Sequence, residues 1–264
     1  MRHKITKARR VVVKIGTSSI TYDNGNINLK RMEELSRVLT DLENSGKEIV
    51  LVSSGAIGAG MDRIGIEKKP KNIEIKQAAA AVGQAVLMQL YQKFFGEYNQ
   101  NIAQILLTSD VFNNNIKREN ANRTFKTLLE MRIIPVVNEN DSVSTDEIKG
   151  DRFGDNDTLS AMVAELIDAD LLIILSDVEG LCNSNPYKNE NAKLITYIEK
   201  ITKDTYKLAG NTENELGTGG MITKLNAAKI ASKSGISTVL ASSTKINNIY
   251  DILEGKEIGT FINT

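Results

Sequence analysis

The chain has 264 residues with 33 Lys+Arg against 33 Asp+Glu, a balance that gives nucleic acid or a membrane surface no bulk electrostatic hold on it. Hydrophobic residues at 41% and charged residues at 25% are ordinary for a globular protein with a sizeable core, built as one large domain or two lobes. A single cysteine, Cys182, excludes an intramolecular disulfide framework and fits a reducing, cytoplasmic compartment. His3 is the one histidine and lies in a terminus expected to fray, which argues against histidine acid–base catalysis, His-ligated zinc and a Ser-His-Asp triad. The apolar run after the basic MRHKITKARR is only Val11-Val12-Val13, too short for a signal peptide, and no stretch approaches a membrane span.

In chain order, Arg10 to Ile15 is a β-branched run closed by Gly16 and predicts a buried strand, followed by a tight turn over Gly16-Thr17-Ser18-Ser19. Asn28 to Asn44 has helical spacing and stops before Gly46. Glu48 to Val52 predicts a strand that runs into the small residues Ser53 to Gly60 and a helix start. Lys76 to Phe95 predicts a long, Ala-rich helix, either plain core or an oligomer face. Ala103 to Leu107 reads as a strand, Thr108-Ser109-Asp110 as a turn or cap, Asn115 to Met131 as a helix and Ile133 to Val137 as a strand. Leu159, Met162, Val163, Leu166 and Ile167 then repeat at helical spacing behind the polar loop that starts at Gly150. Leu171 to Leu175 predicts a buried strand, Val178 to Lys193 a loop, Leu194 to Ile198 a small strand and Ile201 to Ala209 a short helix. A helix opening at Gly217 to Gly220 and stopping near Gly235, a strand at Thr238 to Leu240, a helix at Ile246 to Leu253 and a strand at Glu257 to Ile262 complete the chain.

Strands alternating with helices predict an α/β fold with a mainly parallel sheet covered on both faces, whose ligands sit beyond the carboxyl ends of the strands. Polar and Gly-rich blocks stand just there. Asn138-Glu139-Asn140-Asp141 and Asp155-Asn156-Asp157 carry more carboxylates and amides than helix capping requires and suggest a site for a metal, a lysine or an ammonium. Lys14-Ile15-Gly16-Thr17-Ser18 places an ammonium beside a glycine turn, unless the lysine merely snorkels out of the sheet. Ser53-Ser54-Gly55-Ala56 allows close backbone approach to a ligand, while Gly58 and Gly60 can serve helix packing alone. Gly217 to Gly220 followed by Lys224 favours phosphate binding at a helix N-terminus over a flexible connector. Ser176 and Asp177 suit a nucleotide or its metal, or a simple turn. Neither a Walker A pattern nor a G-x-G-x-x-G fingerprint occurs, so any nucleotide site is of another type.

The stretches VVVKIGTSSI, IVLVSSGAIGAG, PVVNENDSV, FGDNDTLSAMVA, LLIILSDVEGL and GTGGMITKLNAA, in this order, resemble the amino acid kinase family from about Arg10 to the C-terminus. Uridylate kinases, N-acetylglutamate kinases and aspartokinases differ at the glycine-rich or opening segments. The resemblance is to the members that phosphorylate the side-chain carboxylate of L-glutamate with ATP and so begin proline synthesis. It implies a three-layer α/β/α sandwich around an eight-stranded, mainly parallel sheet, with residues 1–165 as a glutamate-binding lobe and 166–264 as an ATP-binding lobe.

By motif position, the resemblance implies that Lys14 and Lys224 flank the transferring phosphoryl group and that Asp157 orients both. Ser54, Asp141 and Asn156 would hold glutamate, with Asn138 on the substrate or just behind it. Lys14, Ser176, Asp177 and the segment Thr218, Gly219, Gly220, Met221, Ile222, Thr223 and Lys224 would hold ATP, with Mg²⁺ carried mainly on its phosphates and no protein metal site. Implied partners are a further copy of the chain, proline as a feedback inhibitor at Ser142 to Phe153, and glutamate-5-semialdehyde dehydrogenase as receiver of a labile product. Many relatives carry an additional C-terminal PUA module; the sequence stops at Thr264 without one, so no RNA role is expected. Cys182-Asn183-Ser184-Asn185-Pro186 departs from the family's usual Tyr and Asp-Pro and alters the detail of the nucleotide pocket. Because fold does not fix substrate, the alternatives are a kinase of another small carboxylate, carbamate or nucleoside monophosphate, and a catalytically silent glutamate or proline sensor.

Overall fold

Val11, Val12 and Val13 alternate between two buried layers, so the strand that carries them lies at the centre of the protein. The computed structural model describes residues 2–22, 25–68, 70–144, 155–184, 189–210 and 220–263. In chain order these form α1 (His3–Thr6), β1 (Arg10–Ile15), α2 (Thr17–Ile20), α3 (Leu29–Asn44), β2 (Glu48–Ser53), α4 (Ala56–Arg63) and α5 (Ile73–Gly96). There follow β3 (Ile102–Leu107), α6 (Ser109–Asn113), α7 (Asn115–Glu130), β4 (Ile134–Glu139), α8 (Asn156–Leu166), β5 (Leu171–Ser176) and β6 (Tyr197–Ile198). The last elements are α9 (Lys203–Leu208), α10 (Met221–Lys233), β7 (Ser237–Ser242), α11 (Asn248–Leu253) and β8 (Thr260–Ile262).

The strands make one eight-stranded sheet in the order β3-β4-β2-β1-β5-β7-β8-β6. All pairs are parallel except β7 with β8. One core lies between the sheet and α3, α5 and α11, and contains Val11, Val13 and Ile15 of β1. The other lies beneath α7, α8 and α10, and contains Val12 of β1 with Val50 and Val52 of β2. This is the expected α/β/α sandwich. The chain leaves β1 toward β2 on one side and later returns to pair β5 on the other, so the carboxyl ends of β1, β2 and β5 border the topological switch point.

Asparagine side chains set several helix starts. Asn28 accepts from the Arg31 amide at 3.0 Å, and Asn72 accepts from the Ile75 amide at 3.1 Å, which begins α5 earlier than the expected Lys76. Two expectations are corrected. The turn expected over Gly16 to Ser19 is the single helical turn α2, and the segment expected to fray is pinned from Arg2 onward. The Arg2 guanidinium donates to the carbonyls of Lys256, Ile258, Thr196 and Gly259 and lies 5.9 Å from the Phe261 ring centroid. Those bonds anchor α1 to the last strands and place Ile5 in the core. No helix among the described residues is long and apolar enough to cross a membrane.

Two glycines bring α4 and α5 to unusually close range. A Cβ on Gly60 would stand 1.8 Å from the Ala79 carbonyl oxygen, and one on Gly83 would stand 1.8 Å from the Ala56 carbonyl oxygen. Gly58 is different: its nearest neighbour would be Thr17 Cγ2 at 3.9 Å. Helix packing therefore explains Gly60 but not Gly58. Gly60→Ala is expected to cost about 1–3 kcal/mol through forced separation of backbones. Gly58→Ala should be neutral or stabilising by up to about 1 kcal/mol, by relief of glycine's entropy cost in a helix. Urea unfolding of the two variants checks this contrast; equal midpoints would contradict the packing account.

Candidate active site

Strand parity decides which side chains reach the crevice. Lys14 shares the face of Val12 and so points toward α8 and α10. Asp157 is the second residue of α8, and Lys224 is the fourth of α10. Their helix N-termini therefore converge on the end of β1. The Asp155 side chain caps α8 by accepting from the Thr158 amide at 2.7 Å, which places Asp157 in the first turn, where the helix dipole favours a carboxylate.

The three charged groups are bound together. Lys14 Nζ lies 2.6 Å from Asp157 Oδ1, and Lys224 Nζ lies 3.2 Å from Oδ2. Thr223 Oγ1 donates to the same Oδ2 at 2.7 Å. Asp157, Lys14 and Lys224 are 1%, 6% and 4% exposed, which is rare for ionised residues unless they are paired. Burial alone would push the Asp157 carboxyl up. The charges of Lys14 and Lys224, with the hydrogen bonds of Lys14 and Thr223, outweigh it and hold the group below the ordinary carboxylate range. Two residues earlier the balance reverses: burial pushes the Asp155 carboxyl up despite its bond to the Thr158 amide, and the Asp157 charge adds to the rise.

Beside this ionic cluster runs a chain of neutral groups. Ser54 follows Val50 and Val52 in parity, and its Oγ accepts from Asn156 Nδ2 at 2.9 Å. Ser53 has the opposite parity, and its hydroxyl lies 2.7 Å from that of the buried Tyr91, whose pKa is pushed up to about 12 by burial. Asn156 Nδ2 also donates to Asn138 Oδ1 at 3.1 Å, and Asn138 Nδ2 donates to Gln84 Oε1 on α5 at 3.0 Å. β4 runs on through Asn138 and Glu139, two residues beyond its expected end, which fixes Asn138 at the crevice. Asp141 follows it, buried at 7% exposure.

The structure thus joins Lys14, Asp157, Thr223 and Lys224 in one cluster and Ser54, Asn138 and Asn156 in another. Ser176 lies at the end of β5, next to β1, and its hydroxyl engages its own loop at Val178. Asp177 is exposed beside it. Gly220 is the N-cap of α10 with no side-chain cap, and Met221 and Ile222 form its first turn. Thr218 and Gly219 lie outside the described residues, as do 145–153 of the loop expected to take proline. Sequence reasoning missed Gln84: within an Ala-rich helix an isolated glutamine carries no local sign of its role.

Comparisons with known proteins agree with this fold. The family model "Amino acid kinase family" matches residues 9–242. The glutamate 5-kinase of Clostridium perfringens is 52% identical over 98% of this chain and 97% of its own length. That of Enterococcus faecalis is 48% identical over 98% and 96%. The one from Carboxydothermus hydrogenoformans is longer; it is 50% identical over 99% of this chain and 69% of its own length. Among solved structures, a carbamate kinase from Giardia lamblia bound to AMP-PNP has a TM-score of 0.67 at 17% identity, covering 98% of this chain and 99% of that one. A UMP kinase from Ureaplasma parvum has a TM-score of 0.66 at 13% identity, covering 97% and 99%. At such identities the likeness establishes the fold.

Removing the bridging charge tests the cluster. Asp157→Asn is expected to lower stability at pH 7 by about 3–5 kcal/mol, because two buried ammonium groups lose the carboxylate they share. The folded carboxyl titrates below its unfolded value, so its contribution is complete above about pH 3.9 and is lost as pH falls from there toward the folded pKa. Unfolding free energies of wild type and variant should therefore converge on acidification. A gap that stays constant into the acid range would contradict the pairing.

Proposed function

The chain belongs to the amino acid kinase family, and from that premise we propose that it transfers the γ-phosphoryl group of ATP to the side-chain carboxylate of L-glutamate, giving glutamate 5-phosphate at the start of proline synthesis. Support comes from relatives of nearly the same length that bear the name glutamate 5-kinase, and from one observation above all: a single buried carboxylate holding two buried lysines at the switch point of the sheet.

The chemistry asks for charge rather than for a proton acceptor. A carboxyl group with a pKa near 4.3 is already ionised at neutral pH, so it attacks without a general base. A carboxylate oxygen forms a bond to the γ-phosphorus while the bond to the β,γ-bridging oxygen breaks, and ADP departs with that electron pair. The obstacle is repulsion between two anions. One cation about 4 Å away contributes roughly 4 kcal/mol at an effective dielectric near 20, so two lysines supply much of a phosphoryl-transfer site. Asp157 occupies a side of both ammonium groups and keeps them from pairing with the substrate carboxylate in an unproductive place.

Lys14 and Lys224 are proposed as the groups that neutralise the transferring phosphoryl, with the open N-terminus of α10 from Gly220 to Thr223 and Ser176 and Asp177 on the nucleotide. Ser54, Asn156 and Asp141, backed by Asn138, are proposed to hold glutamate, with Asp141 facing the ammonium. This divides the chain into a glutamate lobe over 1–165 and a nucleotide lobe over 166–264. Mg²⁺ would arrive on the ATP phosphates and add positive charge over them. The same reading makes this a cytoplasmic homo-oligomer that passes a labile acyl phosphate to glutamate-5-semialdehyde dehydrogenase. Ile75 and Val82, exposed and seven residues apart on one face of α5, support an oligomer.

The deciding experiment is ADP release over a panel of glutamate, aspartate, N-acetylglutamate and UMP, with the acyl phosphate trapped by hydroxylamine. Glutamate is expected to turn over best; better turnover of another substrate, or no trapped hydroxamate, overturns the proposal. Lys14→Ala and Lys224→Ala should each lower kcat by about a hundred- to a thousandfold with glutamate KM little changed, because they act on charge in the transition state. Asp141→Ala should instead raise glutamate KM by about tenfold or more with a smaller change in kcat.

A further inference from the structure

The polarity of the neutral chain beside the lysines is set by one backbone group. Asn138 Oδ1 accepts from the Glu139 amide at 2.9 Å, and a backbone N–H can only donate. That bond fixes which end of the Asn138 amide is oxygen, so its Nδ2 must face α5. There it meets Gln84, whose contacting atom must then be the acceptor Oε1, at 3.0 Å. The same logic runs the other way. The Asn156 atom 3.1 Å from Asn138 Oδ1 must be Nδ2, and its second N–H goes to Ser54 Oγ at 2.9 Å. Two ends are left over. Ser54 Oγ is an acceptor in this chain, so its own proton is available to an anion. Asn156 Oδ1 is shielded from water and has no hydrogen-bond partner among the described residues, so it needs a donor.

We propose that Gln84 is a positioning residue for glutamate, acting through Asn138 and Asn156 to lock an amide chain that leaves the Ser54 hydroxyl as a donor to a carboxylate of the substrate. The inference rests on the glutamate kinase reading above. Gln84 can do this because α5 is held hard against α4, the helix that follows Ser54 and Gly55. Its neighbour Gly83 has no room for a Cβ beneath the Ala56 carbonyl. The glutamine backbone is therefore as fixed as the serine it serves. With the reverse polarity the Asn156 atom against Ser54 would be an oxygen, the serine proton would be committed to it, and no donor would remain there for the substrate carboxylate.

Glutamate binding by calorimetry, with kcat and the KM of both substrates, tests this on wild type, Gln84→Met, Gln84→Glu, Asn138→Ala and the double variant Gln84→Met/Asn138→Ala. Gln84→Met is expected to weaken glutamate binding about tenfold, the weight of one hydrogen bond, with kcat and the KM for ATP changed by less than about threefold. Gln84→Glu, which keeps an acceptor at that point, should restore most of the affinity. In the Asn138→Ala background the methionine should cost nothing more, since its effect passes through Asn138. The proposal fails if Gln84→Met leaves glutamate affinity unchanged, if the loss falls equally on ATP, if Gln84→Glu is no better than methionine, or if the double variant shows additive losses. Wild type that neither binds nor phosphorylates glutamate would instead bring down the reading on which the proposal rests.

Discussion

The carboxylate of Asp157, shared between Lys14 and Lys224, is the interaction on which the rest of the site depends. It joins the end of the central strand to the N-termini of two helices, so three elements that approach from different directions have their side chains fixed by one group. Its burial matters as much as its geometry. An ionised carboxylate this far from water is tolerated because the two ammonium groups and the Thr223 hydroxyl take the place of its hydration.

Parallel strands make this convergence possible. Every parallel strand delivers its last residue to the same edge of the sheet, and period-two alternation then sorts neighbours onto opposite faces. Ser53 and Ser54 show the result within two residues: one hydroxyl is committed to Tyr91 in the core, the other to Asn156 in the crevice. Lys14 reaches α8 because it follows Val12 in parity, whereas Ile15 belongs to the opposite core. The close pairing of α4 and α5 through Gly60 and Gly83 completes the frame beside Ser54 and Asn138.

Much of this is legible in the sequence because it is local. A strand followed by small, polar or acidic residues is visible without knowing what packs on it, and four such strand ends indicate a single crevice. A cap among Asp155, Asn156 and Asp157 and a helix behind it follow from spacing, although which of the three caps does not. What could not be read was set by long-range geometry. The Arg2 guanidinium finds its carbonyl partners between Thr196 and Gly259, which no local pattern near the N-terminus announces. Gln84 looks like one polar position on an Ala-rich helix until the crossing of α4 and α5 brings it to Asn138. Gly58 and Gly60 look alike in sequence, yet only Gly60 lies against another backbone.

On the proposed reading, the two clusters divide the work by the kind of force each uses. The lysine cluster acts through charge, which is long-ranged, tolerant of small displacements and strongest where charge changes most, at the moving phosphoryl group. The amide chain from Gln84 to Ser54 acts through hydrogen-bond direction, which is short-ranged and sensitive to which atom is oxygen. A substrate carrying an ammonium and two carboxylates needs both. Charge alone would accept any small anion in several orientations, and direction alone would give no help to two anions that must meet. Separating them would let the neutral groups hold the amino acid still while the ionic ones lower the barrier. The architecture suits that division, with the neutral chain anchored to the glycine-locked helix pair and the ionic one to the central strand and the helix ends.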